Sequence, residues 1–382
     1  MISLLKSIYK SLGFQNEIKT SDNFLSALLY EYGHLNSPFS LILVLSTLLE
    51  GLSGETQQQL ANVFGISVSQ IGSFTNELNK IYGELIKSGS VNISNVMLSR
   101  SDILLKKQYF ESIAPFVNHE YFSTNDYHKI VEKVNGIVRQ NTQGMINGIL
   151  YAEEIDPNTF FIILNTIYFS SDWYTKFDEY DTISSSFYGS ISAEKGVRQE
   201  QLMRMYEKRF KYYEREENQI LIIPYQNRAF SFCIILPKDR NSLPPAHNIL
   251  DKTSTIIGKA FDRGEFQYVD LTLPKFTQEI VMDINPLLQC IGVTKLFDNT
   301  MQANGMTDID VPMAISLIRQ KVKIEVNETG IVSNSATAMV CRLESCYMRG
   351  SVKPIDFLAN HPFAYYIVHN ESRSVLFSGI YN

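Results

Sequence analysis

The sequence lacks the residue patterns on which most enzymes depend. Its six histidines form neither an H-E-x-x-H motif nor a close pair with a carboxylate at ligand spacing, so no metal site is predicted. It contains no phosphate-binding P-loop and no G-x-G-x-x-G string. The string GLSG at 51–54 lacks the full pattern of a nucleophile elbow, and its context favours Ser53 as a helix cap. We therefore predict no catalytic residue, no metal and no cofactor, and hence no enzyme.

Cysteine is also scarce. The four cysteines show no C-x-x-C spacing and are too few in 382 residues for a disulfide scaffold. Cys233 and Cys290 lie among apolar neighbours and are predicted to be buried thiols. Cys341 and Cys346 fall in a segment that is predicted to be exposed; free thiols are expected there, with a disulfide between them as the alternative.

No strong positive charge is present. The net charge of -6 gives no reason to expect nucleic acid as a partner. The basic clusters at 106–107 and 208–211 are short, and we predict that they are solvated surface rather than a site for a polyanion.

Long hydrophobic runs are absent as well. No run approaches the roughly 20 apolar residues of a membrane span, since even the segment 160–169 is short and contains Asn165. Lys6 and Lys10 interrupt the apolar N-terminus before a signal-peptide core can form, and its periodicity favours an amphipathic helix that packs on the body, with lipid contact as the alternative. The compartment stays open: cytoplasmic, or extracellular or surface-bound after unconventional export.

The elements that are present predict one α+β domain. No linker, repeat or charge run divides residues 1–382, and we expect a monomer. Helical periodicity occurs at 23–32, 39–50, 56–64, 71–87 and 126–140, and strand patterns occur at 160–169, 229–236, 267–276, 316–327, 363–369 and 374–381. Helices and strands do not alternate regularly, which argues against a doubly wound sheet.

The segment 322–342 is the most informative feature of the chain. Apolar and polar residues alternate at 322–327, which is typical of a half-buried strand, and Gly330 then interrupts the pattern. No charged residue follows until Arg342. Each ladder hydrogen bond gains about 0.5–1.5 kcal/mol net, whereas one unpaired buried charge would cost several kcal/mol. Because this segment carries no charge, it could enter a sheet without that cost. Composition alone also fits an exposed loop rich in small residues.

The surrounding strings, taken in order, resemble those of the serpins. EVNETG followed by small residues, and FLANHPFAYYIVHNESRSVLFSGIYN at the C-terminus, are similar to the family's hinge and C-terminal signature. Further matches are NSPFS at 36–40, LNTIYFSSDW at 164–173, IIPY, IILP, LPKF and IGVTKLF. The ordered set covers nearly the whole chain.

The resemblance implies a serpin fold with three β-sheets, about nine helices and an exposed reactive-centre loop at about 328–356. It also implies an inhibitor that acts as a suicide substrate. A serine protease cleaves the loop and stays bound as a covalent acyl-enzyme complex while the loop inserts into the central sheet of a metastable protein. A non-inhibitory serpin, acting as carrier, hormone precursor or chaperone, is the alternative, and a hydrolase is a remote one.

The resemblance assigns roles to individual residues. The hinge would comprise Glu328, Thr329, Gly330, Ile331, Val332, Ser333, Asn334, Ser335, Ala336 and Thr337, of which 331, 333, 335 and 337 would turn inward on insertion. The shutter and breach, two regions of the central sheet, would contain Ser37, Ser40, Asn165, Trp173 and Gln320. Ile331 replaces the family's usual threonine. Gln320 stands where many relatives carry histidine, so we expect no pH-sensitive shutter at that position.

Three bonds remain candidates for cleavage. Family spacing from Gly330 indicates Glu344–Ser345, which would select an acid-specific protease. Two arginines flank that bond, and each could fill the aspartate-based pocket of a trypsin-like protease. We prefer Arg342–Leu343 over Arg349–Gly350, because the inserted length is mechanically constrained whereas the stretch after the bond is free to vary.

Overall fold

The structure is a computed structural model that describes residues 35–123, 127–189, 196–215, 217–242, 250–331 and 353–382. The predicted helix at 23–32, the hinge from Val332 onward, all three candidate bonds, and Cys341 and Cys346 lie outside the described residues.

Seven α-helices lie within the described part of the chain, against about nine expected for the whole. They are α1 (Pro38–Gly51), α2 (Gly54–Val63), α3 (Ile71–Lys87), α4 (Lys107–Ile113), α5 (Tyr127–Asn141), α6 (Leu250–Arg263) and α7 (Asn285–Cys290). Helix α1 begins after Ser37, whose hydroxyl accepts a hydrogen bond from the amide of Ser40, and Pro38 occupies a first-turn position that needs no N–H donor. It is buried along almost its whole length, as expected for a helix that is apolar on all sides.

Sixteen strands accompany these helices. They are β1 (Leu35–Asn36), β2 (Val91–Arg100), β3 (Asn118–Phe122), β4 (Phe161–Phe169), β5 (Ser171–Asp172), β6 (Ile183–Tyr188), β7 (Val197–Glu214), β8 (Asn218–Pro224), β9 (Phe230–Pro237), β10 (Glu265–Pro274), β11 (Phe276–Asp283), β12 (Ile315–Val326), β13 (Gly330–Ile331), β14 (Ile355–Leu358), β15 (Phe363–His369) and β16 (Val375–Tyr381).

The strands form two hydrogen-bonded sheets within the described residues. One has nine strands in the order β1-β16-β15-β9-β8-β7-β10-β14, with β6 also on β7. The long strand β7 joins what would otherwise be two sheets, because it pairs with β6 near its start, with β8 at its end, and with β10 over most of its length. Two of the three sheets implied by the resemblance are therefore joined through β7 and count here as one hydrogen-bonded sheet.

The second, central sheet has seven strands and positions the candidate site. Its order is β3-β2-β4-β12-β13-β5, with β11 also paired to β12. Helix α1 contributes to the large core on one face of this sheet, together with β4, β12 and the C-terminal strands. Helix α5 covers part of the other face, where Ile130 and Val134 pack with Val96, Ile162 and Leu164.

One local prediction was wrong, and another was confirmed only in part. Cys233 is buried as predicted, but Cys290 is exposed, because it is the last residue of the short helix α7. Ser53 occupies the N-cap position of α2 without a capping hydrogen bond from its side chain. Instead, the side-chain oxygen of Gln302 accepts a hydrogen bond from the amide of Glu55 at 2.8 Å, so a distant residue satisfies that helix end.

Candidate functional site

The central sheet contains a seam where two strands run in the same direction. Strands β4 and β12 are parallel neighbours, and residues 317–323 lie opposite residues 162–168. The strands on the outer sides of this pair, β2 and β11, are antiparallel to their partners. A strand that ran the other way between β4 and β12 would be antiparallel to both, so the seam can accept one without reversing any existing strand.

The chain that leaves β12 turns back toward this seam. After Val326 it reverses direction, and β13 pairs antiparallel with the end of β12 and, on its other side, with β5. Strand β5 directly follows β4 in sequence. The two residues of β13 therefore already lie between the continuations of β4 and β12, at the upper end of the seam.

Asn327 and Gly330 determine this turn. The side-chain oxygen of Asn327 accepts hydrogen bonds from the Thr329 amide at 3.0 Å and from the Gly330 amide at 3.1 Å. Gly330 has φ +148°, and a Cβ atom at this position would lie 2.6 Å from the Cα atom of Asp172. Only glycine fits both the backbone conformation and the space, so Gly330 allows the chain to pass from the turn into β13 close to β5.

Trp173 holds the turn from the sheet side. Its ring is buried and stacks on Tyr225 with centroids 4.8 Å apart and an interplanar angle of 7°. The indole Nε1 donates a hydrogen bond to the Asn327 carbonyl at 2.8 Å, and the Trp173 amide donates to the Thr329 carbonyl, also at 2.8 Å. The ring therefore packs in the core, and Trp173 also anchors the turn between β12 and β13.

Glu328 adds an ionic anchor to the same turn. One carboxylate oxygen lies 2.9 Å from Lys275 Nζ, and the other accepts a hydrogen bond from Thr182 Oγ1 at 2.9 Å. Burial by itself would raise the pKa of Glu328, but the hydrogen bonds from Lys275, the backbone and Thr182, with the charge of Lys275, outweigh it and hold the pKa below its ordinary value. The turn is thus tied to two other parts of the chain.

A buried polar network crosses the middle of the seam. Asn165 on β4 and Gln320 on β12 are register partners, and Gln320 Nε2 donates a hydrogen bond to Asn165 Oδ1 at 2.7 Å. The same nitrogen lies 3.1 Å from Ser40 Oγ and 3.0 Å from the Ser37 carbonyl oxygen, so its two hydrogens are shared among three acceptors and the seam is tied to the start of α1. On the far side, Asn165 Nδ2 donates to Asn95 Oδ1 at 2.6 Å.

Three basic side chains on β12 contact backbone carbonyl groups of the segment that follows α5. Lys321 Nζ donates to the Gly148 carbonyl at 2.9 Å, and Arg319 donates to the Ile149 carbonyl at 3.2 Å. Lys323 Nζ lies 3.4 Å from the Met145 carbonyl oxygen. We call these three residues the cation clamp. They stand two apart on one face of β12, which sets them along a single stretch of chain that lies over the seam.

Ion pairs with acidic residues hold Arg319 and Lys321 of the clamp in position. Arg319 pairs with Glu154 and with Asp283, each at 2.6 Å, and Lys321 pairs with Glu279 at 2.7 Å. Burial alone would lower the pKa of Arg319, but its hydrogen bonds to Asp283 and Glu154 outweigh that effect and the pKa lies above its ordinary value. Arg319 is therefore charged at every physiological pH.

The structure brings the sequence-predicted residues together in two groups. Ser37, Ser40, Asn165 and Gln320 form the network in the middle of the seam, and Trp173, Glu328, Thr329, Gly330 and Ile331 form the turn at its upper end. Sequence reasoning missed Asn95, Lys275 and the cation clamp. Only the clamp had a signal in the sequence, namely basic residues at alternate positions of the 316–327 strand pattern.

Two absences concern the described residues only. No group of three or more His, Cys, Asp or Glu side chains there could hold a metal ion. None of the helices in these ranges is both long and apolar enough to cross a membrane.

Comparison with known proteins assigns the family. A model of the family described as "Serpin (serine protease inhibitor)" matches residues 27–382. This chain belongs to the serpin family. It is 26% identical to human Serpin I2 over 355 residues, which cover 90% of this serpin and 84% of the relative. It is 28% identical to Serpin B6 of Macaca fascicularis over 353 residues, covering 90% and 91% of the two chains.

Solved structures agree on the fold. Native protease nexin-1 with heparin has a TM-score of 0.82 at 22% identity, and the match covers 100% of this serpin and 98% of that chain. Human thyroxine-binding globulin has a TM-score of 0.80 at 19% identity, covering 98% of both chains. The serpin fold thus occurs in a protein named for binding thyroxine as well as in one named for proteases, and most members of the family are protease inhibitors rather than catalytic enzymes.

Proposed function

We propose that this serpin inhibits a serine endopeptidase as a suicide substrate, through a reactive-centre loop at about 328–356. The observation that carries the proposal is the seam: two parallel strands stand side by side, and the chain that leads into the loop already enters between their upper ends. A monomer is sufficient for this reaction, because one chain supplies both the loop and the seam.

Loop insertion would replace one ladder by two. The ladder between β4 and β12 would be lost, and the new strand would form an antiparallel ladder on each side. The net gain of about one ladder contributes on the order of 10 kcal/mol, at about 1 kcal/mol for each hydrogen bond. About 12 inserted residues at a rise of about 3.3 Å would carry an attached protease on the order of 40 Å along the sheet.

The sequence of the hinge is compatible with insertion. Val332, Ser333, Asn334, Ser335, Ala336 and Thr337 follow β13 directly and carry no charge. Positions 333, 335 and 337 would continue the inward face that begins at Ile331, and all three side chains are small. A charged hinge would oppose insertion, because an unpaired charge in the sheet interior costs several kcal/mol.

The chemistry follows the ordinary acylation step of a serine protease. The protease serine attacks the carbonyl carbon of the scissile residue, the amide bond breaks, and the amine of the next residue leaves with a proton from the protease histidine. The ester that remains joins protease and loop covalently. We place this bond at Arg342–Leu343, with Arg349–Gly350 and Glu344–Ser345 as alternatives. Either arginine makes the target trypsin-like.

Incubation with trypsin tests the proposal. The inhibitor should give a complex that survives SDS, together with a released C-terminal fragment, and trypsin whose catalytic serine is replaced by alanine should give neither. Mass spectrometry of the fragment identifies the bond that trypsin cuts: an N-terminus at Leu343 supports our choice, and one at Gly350 replaces it. Complex formation with an acid-specific protease, but not with trypsin, would support Glu344–Ser345 instead. A cleaved chain without any complex would support a non-inhibitory serpin, and peptide hydrolysis by the chain alone would indicate a hydrolase.

A further inference from the structure

The outer face of strands β7 and β10 carries an aromatic surface that loop insertion does not use. Tyr206, Phe266 and Tyr268 are 51%, 60% and 47% exposed. The guanidinium carbon of Arg209 lies 5.4 Å from the centre of the Phe266 ring. We call these four residues the aromatic strip. Single exposed aromatic side chains are ordinary, but three beside an arginine form a cluster of the residue types that dominate binding energy at protein interfaces.

Strand register places Arg209, Phe266 and Tyr268 on one face. Arg209 and Tyr268 are direct partners in the antiparallel pair, and Phe266 lies two residues before Tyr268 on the same side. The neighbouring positions Phe210 and Val269 point the other way and are buried. Arg209, Phe266 and Tyr268 therefore form the outward face of this strand pair, and the buried residues beneath them fix that orientation.

A β-bulge sets the position of Tyr206. The register of the two strands shifts between Val269 and Leu271, and Glu207 adopts φ 51°. The amide of Glu207 donates a hydrogen bond to the Asp270 carboxylate at 2.7 Å, which holds the bulge in place. Bulges often re-aim a side chain near a functional surface. Here the bulge leaves Tyr206 and Glu207 opposite the single residue Asp270, and the exposed Tyr206 side chain extends the strip along β7.

The reactive-centre loop returns to the fold beside this strip. Strand β14 is the first described strand after the loop and runs parallel to β10, with Ile355 opposite Val269. The residues just before Ile355 therefore enter next to Tyr268. Fully extended, the chain from Leu343 to Ile355 spans at most about 43 Å, and the chain from Gly350 to Ile355 at most about 18 Å. A protease bound at any candidate bond is thus tethered within reach of the strip.

We propose that the aromatic strip is a second contact site for the target protease, which it binds outside the catalytic cleft before the loop is cleaved. The inference rests on the proposed function and adds a specificity surface to it. The partner surface would present apolar groups to the three rings and a carboxylate or carbonyl oxygen to Arg209. Because the loop holds the two proteins together, even a weak contact here raises the rate of capture through its high effective concentration.

The test compares rates of capture. The triple variant Tyr206→Thr, Phe266→Thr and Tyr268→Thr keeps residues of high strand propensity while it removes the rings. Its second-order rate constants with trypsin, thrombin, plasmin and urokinase are compared with those of the parent, and each protease is also assayed on a peptide of residues 336–352. Leu104→Thr is the matched control, since Leu104 is 62% exposed and lies elsewhere on the surface.

The expected result is a loss of about 10-fold or more in the rate constant for the protease that the parent captures fastest. Cleavage of the free peptide, the stoichiometry of inhibition and the melting temperature should be unchanged, and Leu104→Thr should behave like the parent. Arg209→Glu should slow the same protease and reduce the salt dependence of the rate.

Other outcomes would overturn the inference. Equal rate constants for the parent and the triple variant with all four proteases would show that the loop alone determines capture. A dimeric parent and a monomeric triple variant with unchanged rates would make the strip a self-association surface. If no protease forms a complex with the parent at all, the proposed function itself has failed.

Discussion

Weakening the cation clamp should make loop insertion faster. Helix α5 packs on β2 and β4, and Asn135 of that helix accepts hydrogen bonds from the amides of Ile149 and Leu150. The segment after α5 therefore moves with β4, whereas the clamp ties it to β12. Insertion of a strand separates β4 from β12 by a further 4.8 Å or so. Clamp hydrogen bonds that span about 3 Å cannot survive this separation, so they oppose insertion.

Lys321→Met is the sharpest perturbation of the clamp. It removes the bond to Gly148 and the pair with Glu279, while methionine keeps most of the apolar stem. A hydrogen bond from a charged group contributes about 1.5–3 kcal/mol. Glu279 is 42% exposed on its side chain and can be solvated, so we expect a net loss of only about 1–2 kcal/mol in native stability. If the bond is already broken in the transition state, insertion should accelerate by roughly 5- to 30-fold.

Two measurements test this prediction. The stoichiometry of inhibition against trypsin should fall toward one, because faster insertion competes better with release of the protease. Denaturant unfolding should show the loss of native stability. Lys107→Met is the matched control, since Lys107 is 88% exposed in its pair with Glu111 and should change neither quantity. Slower insertion in Lys321→Met, or unchanged stability and stoichiometry, would refute the reasoning.

Three further predictions concern the seam and the hinge. Ser333→Arg should leave cleavage by trypsin intact but raise the stoichiometry of inhibition several-fold, because a cation would have to enter the sheet; persistence of the parent's stoichiometry would count against insertion. Gln320→Leu should lower native stability by about 2–4 kcal/mol in urea unfolding, since it leaves the buried Ser37 amide without its acceptor and removes one of the hydrogen bonds that Asn165 Oδ1 accepts; a neutral effect would show that the network is dispensable. Folding lowers the pKa of Glu328, so its carboxylate contributes to stability above the unfolded pKa of about 4.3, and this contribution is lost as the pH falls through the lower folded pKa. Glu328→Gln should therefore flatten the plot of unfolding free energy against pH between about pH 5 and 3, and an unchanged plot would contradict the lowered pKa.

The sequence predicts those parts of the fold where periodicity is strong. The apolar spacing at 71–87 matches helix α3 residue for residue, and the buried run at 363–369 matches β15. Strand β7 went unpredicted because its outward positions carry charges and one bulge breaks the alternation. Helix α6 was also missed.

Some residues of the candidate site could likewise be predicted from the sequence, and others could not. Ser40 and Asn165 fall within short strings that resemble family motifs, so they could be assigned from sequence. The partners of Glu328 could not, because Lys275 is distant in sequence and only the folded sheet brings the two charges together. Asn95 is likewise one polar residue in an alternating strand, and nothing local indicates that it meets Asn165.

The central claim is that the loop can enter the seam between β4 and β12, and the most direct test is the melting temperature of the protein before and after a cut in the loop. A zinc metalloprotease such as thermolysin is suited to this cut, because it forms no acyl-enzyme and cannot be trapped. Insertion of the cut loop should add a net gain of about one ladder of hydrogen bonds, on the order of 10 kcal/mol, and should raise the melting temperature by on the order of 20 °C. A cut protein that melts at or below the temperature of the intact protein would contradict the claim.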